Sequence, residues 1–229
     1  MISNRILSAL PLEVQADVLR ACHPVQLPSG QVIYRTGEAI KDVYFIDSGL
    51  VCLLKRMEDG RSVEIAAVGA EGLTGVLSVV GSGPALADYV VQVPVSAHHM
   101  SLAVLQREMS THLALQSLIA KFLSLLTGQF AQVSACNRLH SLEQRCCCWL
   151  LFARDNVSTD RFQLTHEFMA SLLGVQRPSV SMTANGLQKR GLIRYSHGQV
   201  TILDRAALER AACECYSVRR RQIDDALGS

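Results

Sequence analysis

Residues 164–204, LTHEFMASLLGVQRPSVSMTANGLQKRGLIRYSHGQVTILD, spell a helix, a tight turn, a second helix and a β-hairpin. Thr165 can cap a first helix over HEFMASLL, because a threonine hydroxyl accepts one of the unpaired N–H groups of the first turn. Phe168, Leu172 and Leu173 fall on one face of that helix, and Gly174 supplies its stop. Val175 and Gln176 form the turn. The second helix opens at Arg177 and Pro178, where a proline's missing N–H would be unpaired in any case. It runs through SVSMTANGLQKR to Gly191, with Val180, Ala184 and Leu187 inward and Arg177, Ser181, Met182, Asn185 and Gln188 outward. IRY and VTIL then alternate as two strands around a four-residue link, Ser196 to Gln199, which makes a wing. Helix pairs of this shape also occur as packing corners in helical cores. The wing in register, and the amides, hydroxyls and guanidinium on the outer helix face, point instead to a winged helix-turn-helix that reads DNA.

The 229 residues suffice for two modest domains. No apolar run approaches the roughly 20 residues of a membrane span, and the N-terminus MISNRILSALPLEVQ is amphipathic without a signal-peptide core. The expectation is a cytoplasmic protein with no membrane partner. Net charge is +2, unevenly spread: from Arg138 onward thirteen Lys/Arg stand against nine Asp/Glu, so the basic half is the half with the helix-turn-helix. Eight cysteines in a chain without an export signal read as reduced thiols. Cys146, Cys147 and Cys148 are consecutive on a helix and cannot all close on one metal. Cys213 and Cys215, if helical, face different ways. The cysteines therefore read as small buried apolar residues, with a redox role left open for an exposed thiol. No metal site and no cofactor is expected.

From Val25 to about Met100 the chain is a series of short runs, QVIY, DVYFI, LVCLLKRM, SVEIAAV and DYVVQVPVSAHHM, separated by Gly, Pro, Asp and Ser. Pro28-Ser29-Gly30, Thr36-Gly37-Glu38, Asp47-Ser48-Gly49 and Asp59-Gly60 read as turns between strands, giving a β-roll or barrel. A short helix follows over Ser101–Glu108, then a long one from about Ser110 to Asn137. Leu115, Ile119, Phe122, Leu126, Gln129 and Val133 recur along it at heptad spacing and predict a dimerisation seam. The same seam could pack on the β-domain, and Leu118, Leu123, Leu125 and Phe130 indicate that more than one face is buried. A hinge falls near Asn137 to His140, and Ser141 with Gln144 predicts a capping box on the next helix.

A β-domain, a long helix, a hinge and a winged helix-turn-helix in this order resemble the Crp/Fnr superfamily of bacterial transcription regulators. The resemblance rests on Gly30, YRTGE at Tyr34 to Glu38, VYFIDSG at Val43 to Gly49, Gly60-Arg61, Gly69 to Gly72, and the stretch from Leu164 to Ile193. It implies an α+β fold in three parts: a cyclic-nucleotide-binding-like double-stranded β-roll with flanking helices over 1–108, a dimerisation helix over 109–137, and a DNA-binding domain over 138–229. It implies a homodimer on a roughly palindromic site in double-stranded DNA, with RNA polymerase a further partner and no enzymatic activity. Gln176, Arg177, Ser179, Ser181, Met182 and Asn185 become the candidates for groove contact, and Thr165, Lys189, Arg194 and His197 for the DNA backbone. Arg177 is the first choice for base readout, since a guanidinium pairs bidentately with guanine.

The chain departs from the family at two points. Well-known members carry an acidic residue after the arginine that opens the recognition helix and a second arginine a turn later; here stand Pro178 and Met182. A different operator is expected. Members that bind cyclic AMP follow a glycine-acid turn with an arginine, but between Arg61 and Arg107 this chain has no Lys or Arg. Glu71-Gly72 could supply the turn, yet a phosphate would lack its cation, so cyclic AMP is not the expected effector and the effector is unknown. Cys22 and Cys52 are too few for the N-terminal iron-sulfur cluster of other members. His98 and His99, adjacent on a strand, face opposite sides. A metal- or redox-responsive regulator is the alternative, and behind it a cupin-like metal enzyme using His23, His98, His99, Glu64 and Glu71, whose spacings match no ligand motif.

Overall fold

The computed structural model describes residues 2–81, 83–157 and 159–228. Two short helices, α1 (Arg5–Ser8) and α2 (Leu12–Arg20), precede the roll. Its strands are β1 (His23–Leu27), β2 (Val32–Tyr34), β3 (Asp42–Arg56), β4 (Ser62–Val68) and β5 (Asp88–Ser101), with helix α3 (Val76–Gly81) between the last two. They pair antiparallel in the order β1-β5-β3-β4, with β2 also on β5. Asp47-Ser48-Gly49 does not reverse the chain as expected. It sits inside the continuous β3, where the pairing with β5 shifts register on either side of Ser48. Gly49 takes φ 90°, and a Cβ there would lie 2.2 Å from the Pro94 carbonyl oxygen, so only glycine lets the two strands pass at this bulge.

The apolar run of β3 is explained by burial on both faces. Val51 and Leu53, with Ala66 and Val68 of β4, point into the core of the roll. The alternate residues Leu50, Cys52 and Leu54, with Ala67, join a second core built with Trp149, Leu150, Phe162 and Leu172 from the C-terminal half. The sheet is therefore the wall shared by the two halves of the molecule.

Helix α4 (Leu102–Thr111) ends three residues later than expected, and α5 runs over Leu113–Leu139. Against the expectation from the sequence, α5 is by length and composition able to cross a membrane. One apolar stripe of it is turned into the protein, while Leu113 and Leu139 at its two ends are exposed. Leu115, Ile119, Phe122, Leu126 and Gln129 are all buried within the chain itself, the first four in the core of the roll. The predicted heptad seam thus turns inward, which corrects its assignment to a partner helix: two α5 helices cannot meet through side chains already covered. Val133, at its end, is half-buried and lines a cleft with Trp149 and Arg219.

His140 leaves the helical conformation and makes the break before α6 (Leu142–Val157). The predicted capping box is present: Gln144 N donates to Ser141 Oγ at 3.3 Å and Ser141 N donates to Gln144 Oε1 at 3.0 Å. The C-terminal half continues with β6 (Arg161–Gln163), α7 (His166–Leu173), α8 (Arg177–Lys189), β7 (Ile193–Ser196), β8 (Gln199–Ile202), α9 (Arg205–Ala211) and α10 (Cys215–Leu227). β6, α9 and α10 add to the sequence reading. The last of these folds back along α5. Cys146 and Cys147 are buried in the second core as expected. Cys213 and Cys215 do not share a helix, since Cys213 lies in the link before α10 and Cys215 opens it.

Candidate nucleic-acid interface

Thr165 caps α7, its Oγ1 accepting from Phe168 N at 3.1 Å. The core face of α7 is Met169, Ala170, Leu172 and Leu173; Phe168, expected there, is only half-buried because Met169 occupies the inner position. Gly174 ends the helix with φ 64°, the left-handed conformation that glycine adopts without penalty. Gln176 is the N-cap of α8, Pro178 sits in its first turn, and Val180, Ala184 and Leu187 are buried as predicted. The wing link is shorter than expected. β7 and β8 are joined by His197 and Gly198 alone, at φ 49° and 74°, the two positive values of a type I′ hairpin turn. β6 pairs with the far side of β8 and anchors the wing through buried Phe162.

On the outer surface Gln176, Arg177, Met182, Asn185 and Lys189 are exposed along α8, as are Thr165 before α7 and Arg194 and His197 on the wing. Met182 is 75% exposed, a large apolar side chain left in water on a helix whose inner face is packed. Ser179 and Ser181 are half-buried. The Ser181 hydroxyl already bonds His166 Nδ1 at 3.0 Å. The His166 ring stacks on Tyr195 with centroids 4.1 Å apart, so α7, α8 and β7 are clamped at one point. Burial first, and then the Arg177 guanidinium, hold His166 below the ordinary imidazole pKa. His166 and Tyr195 were missed by sequence reasoning, since spacing marks the outward face of one helix but not what supports it. Gln188, read as outward, accepts from Tyr195 N at 2.8 Å and so supports the wing.

Residues 24–112 match the family of the cyclic nucleotide-binding domain, and residues 144–211 match the Crp-like helix-turn-helix domain. The chain belongs to the Crp/Fnr superfamily. Among relatives of this superfamily, the transcriptional regulator LdrP of Thermus thermophilus is 28% identical over 196 residues, covering 80% of this chain and 93% of LdrP. The CRP-like cAMP-activated global transcriptional regulator of Mycobacterium tuberculosis is 24% identical over 204 residues, covering 86% of this chain and 91% of its own. In structure the chain is similar to FixK2 of Bradyrhizobium japonicum, with TM-score 0.69 and 16% identity over 84% of this chain and 98% of FixK2. It is similar also to a CRP-family transcriptional regulator of Thermus thermophilus, with TM-score 0.69 and 24% identity over 82% and 96% of the two chains. A Crp/Fnr-type DNA-binding transcription regulator is therefore what this chain is, and not an enzyme. The alternative cupin-like ligand set falls with this. Glu64 accepts from Trp149 Nε1, Glu71 pairs with Arg219, His98 lies 2.7 Å from Asp47 and His99 pairs with Asp42.

Proposed function

We propose that the protein is a cytoplasmic homodimer that places two α8 helices in successive major grooves of a roughly palindromic site and there meets RNA polymerase. The observation that carries this reading is the free outer face of α8. Arg177, Met182 and Asn185 stand exposed side by side on a helix whose opposite face is fully packed. Arg177 suits guanine, Asn185 adenine and Met182 the thymine methyl group, while Gln176 and Ser179 lie at the helix start. Ser181 acts through His166. Thr165, Lys189, Arg194 and His197 suit phosphates.

The chain divides into a sensing roll (1–108), a pairing helix (109–137) and a reader (138–229), with pairing through the flank of α5 beside the stripe that the roll covers, where Leu123 and Phe130 are partly buried at the edge of the roll's core. Gln116, Ala120, Leu123, Thr127, Phe130 and Ser134 recur there at spacings of four and three. Thr127 and Ser134 return their hydroxyls to the carbonyls of Leu123 and Phe130, leaving this face largely apolar.

The roll does not bind cyclic AMP. Residues 62–106 hold no Lys or Arg, and Glu71 accepts from Gly69 N at 3.2 Å and pairs with half-buried Arg219 at 3.3 Å. Calorimetry with cyclic AMP and gel-shift titration at rising salt test both parts. The reading expects no heat of cyclic AMP binding and one DNA duplex per two chains, weakening steeply with salt. Submicromolar cyclic AMP binding, or salt-insensitive DNA binding, contradicts it.

A further inference from the structure

DNA reading makes no use of the sulfur chemistry at the hinge. Cys136 and His140, one turn apart at the end of α5, meet Cys213 and Cys215 at the start of α10. Their three Sγ atoms and one imidazole nitrogen all lie within 4.8 Å of one another. Cys136 Sγ is 3.7 Å from Cys213 Sγ, and Cys215 Sγ is 3.5 Å from His140 Nδ1. A tetrahedral zinc ion with Zn–S of about 2.3 Å and Zn–N of about 2.0–2.1 Å requires S···S edges of about 3.8 Å and S···N edges of about 3.5 Å. Two edges of that tetrahedron are already in place.

We propose that Cys136, His140, Cys213 and Cys215 form a binding site for a thiophilic divalent cation, with zinc the ion it fits, that staples the hinge end of α5 to the start of α10. Three sulfurs and one imidazole make a closed four-ligand set of the structural kind, with no position left for a reacting water. The surroundings are those a metal-bound histidine and thiolates require. His140 Nε2 faces Glu214 Oε1 at 3.3 Å, a carboxylate on the far ring nitrogen that leaves the Nδ1 lone pair toward the sulfurs. Gln132 Nε2 donates to Cys215 Sγ at 3.0 Å. A cleft lined by Cys136, Cys148, Cys215 and Arg145 leads to the cluster and gives the ion a route.

Binding displaces three thiol protons to solvent, and a divalent ion with three thiolates and a neutral imidazole carries a net charge of −1. Arg145 supplies the counter-charge. Its Nε is buried without a hydrogen-bond partner among the described residues, and its other end donates to the carbonyl of Leu173, the last residue of α7. The ion is thereby coupled through one side chain to the first helix of the DNA-reading pair. This coupling rests on the DNA-binding reading; the metal site does not. Cys148, whose Sγ lies 3.2 Å from Cys213 Sγ, makes a disulfide the competing chemistry.

The test uses the full chain, reduced and stripped with chelator, then titrated with cobalt(II) alone and afterwards with zinc(II). One equivalent of cobalt per chain, with thiolate charge-transfer bands and intense tetrahedral d–d bands that zinc abolishes, is the expected result. Cys213→Ser should remove about one third of the charge-transfer intensity, and Glu214→Gln should weaken the site by about 10–100-fold. If Cys213→Ser does not fold, His140→Asn must still change the d–d spectrum. Overturning results are wild-type protein without a thiolate–cobalt band, bands indifferent to Cys213→Ser and His140→Asn, or a Cys148–Cys213 disulfide with no bound metal in protein isolated without reductant. Normal metal binding without any affinity for DNA counts against the proposed function and leaves the site standing.

Discussion

The indole Nε1 of Trp149 donates to Glu64 Oε2 at 3.0 Å, tying α6 of the DNA-reading half to strand β4 of the roll. Both residues are buried, and burial raises the Glu64 carboxyl above its ordinary range. A buried carboxyl that loses a donor keeps its desolvation penalty, so Trp149→Phe should lower unfolding free energy by about 1–3 kcal/mol in urea titration. Glu64→Gln keeps an acceptor for the indole and should lose less. Equal losses would mean that the bond does not set the contact between the halves.

Leu123→Glu and Phe122→Ala separate the two faces of α5. Phe122 is fully buried against the roll, and its truncation should cost about 3–5 kcal/mol of stability while leaving a dimer. Leu123→Glu should give monomers in sedimentation analysis and, because Leu123 only edges the roll's core, lose less stability than Phe122→Ala. A Leu123→Glu chain that remains dimeric places the pairing face elsewhere.

Arg177→Ala and Lys189→Ala should weaken DNA binding in different ways. Loss of Arg177 is expected to cost about 1–3 kcal/mol and to relax preference at one base pair. Lys189→Ala should weaken binding evenly across sequences and reduce the salt slope by about one. Competition binding with single-base operator variants measures both.

His166 gives the interface a pH dependence of stated sign. Its pKa is held down in the folded chain by burial and by Arg177, so the folded state binds fewer protons than the unfolded state below the ordinary imidazole value of about 6.5. Its contribution is fully present above that value and is lost as pH falls through it toward the lowered folded pKa. Thermal melts between about pH 7.5 and 5.5 should show a smaller drop for His166→Gln than for wild type. Parallel drops would show that His166 does not titrate in this range.

The recognition helix was legible in the sequence because its inner face has to be apolar at helical spacing: Val180, Ala184 and Leu187 are buried where that spacing puts them. The roll was legible for the same reason in strand form. The seam of α5 was misread because a heptad pattern records that a face is buried and is silent on what buries it. Leu115, Ile119, Phe122 and Leu126 meet the roll of their own chain. Cys136, His140, Cys213 and Cys215 were read separately because about 70 residues of chain part the two pairs, and only the return of α10 along α5 brings them together. His166 was overlooked since its partners, Ser181 and Tyr195, lie on two other elements.

Selection of genomic fragments bound by the full chain, followed by footprinting of the enriched sites, tests the central claim most directly. The account predicts one enriched motif with inverted half-sites about 34 Å apart along the duplex, each protected in the major groove and each weakened at one base pair by Arg177→Ala. Fragments recovered without any shared motif, or a single unrepeated half-site bound by one chain, would contradict it.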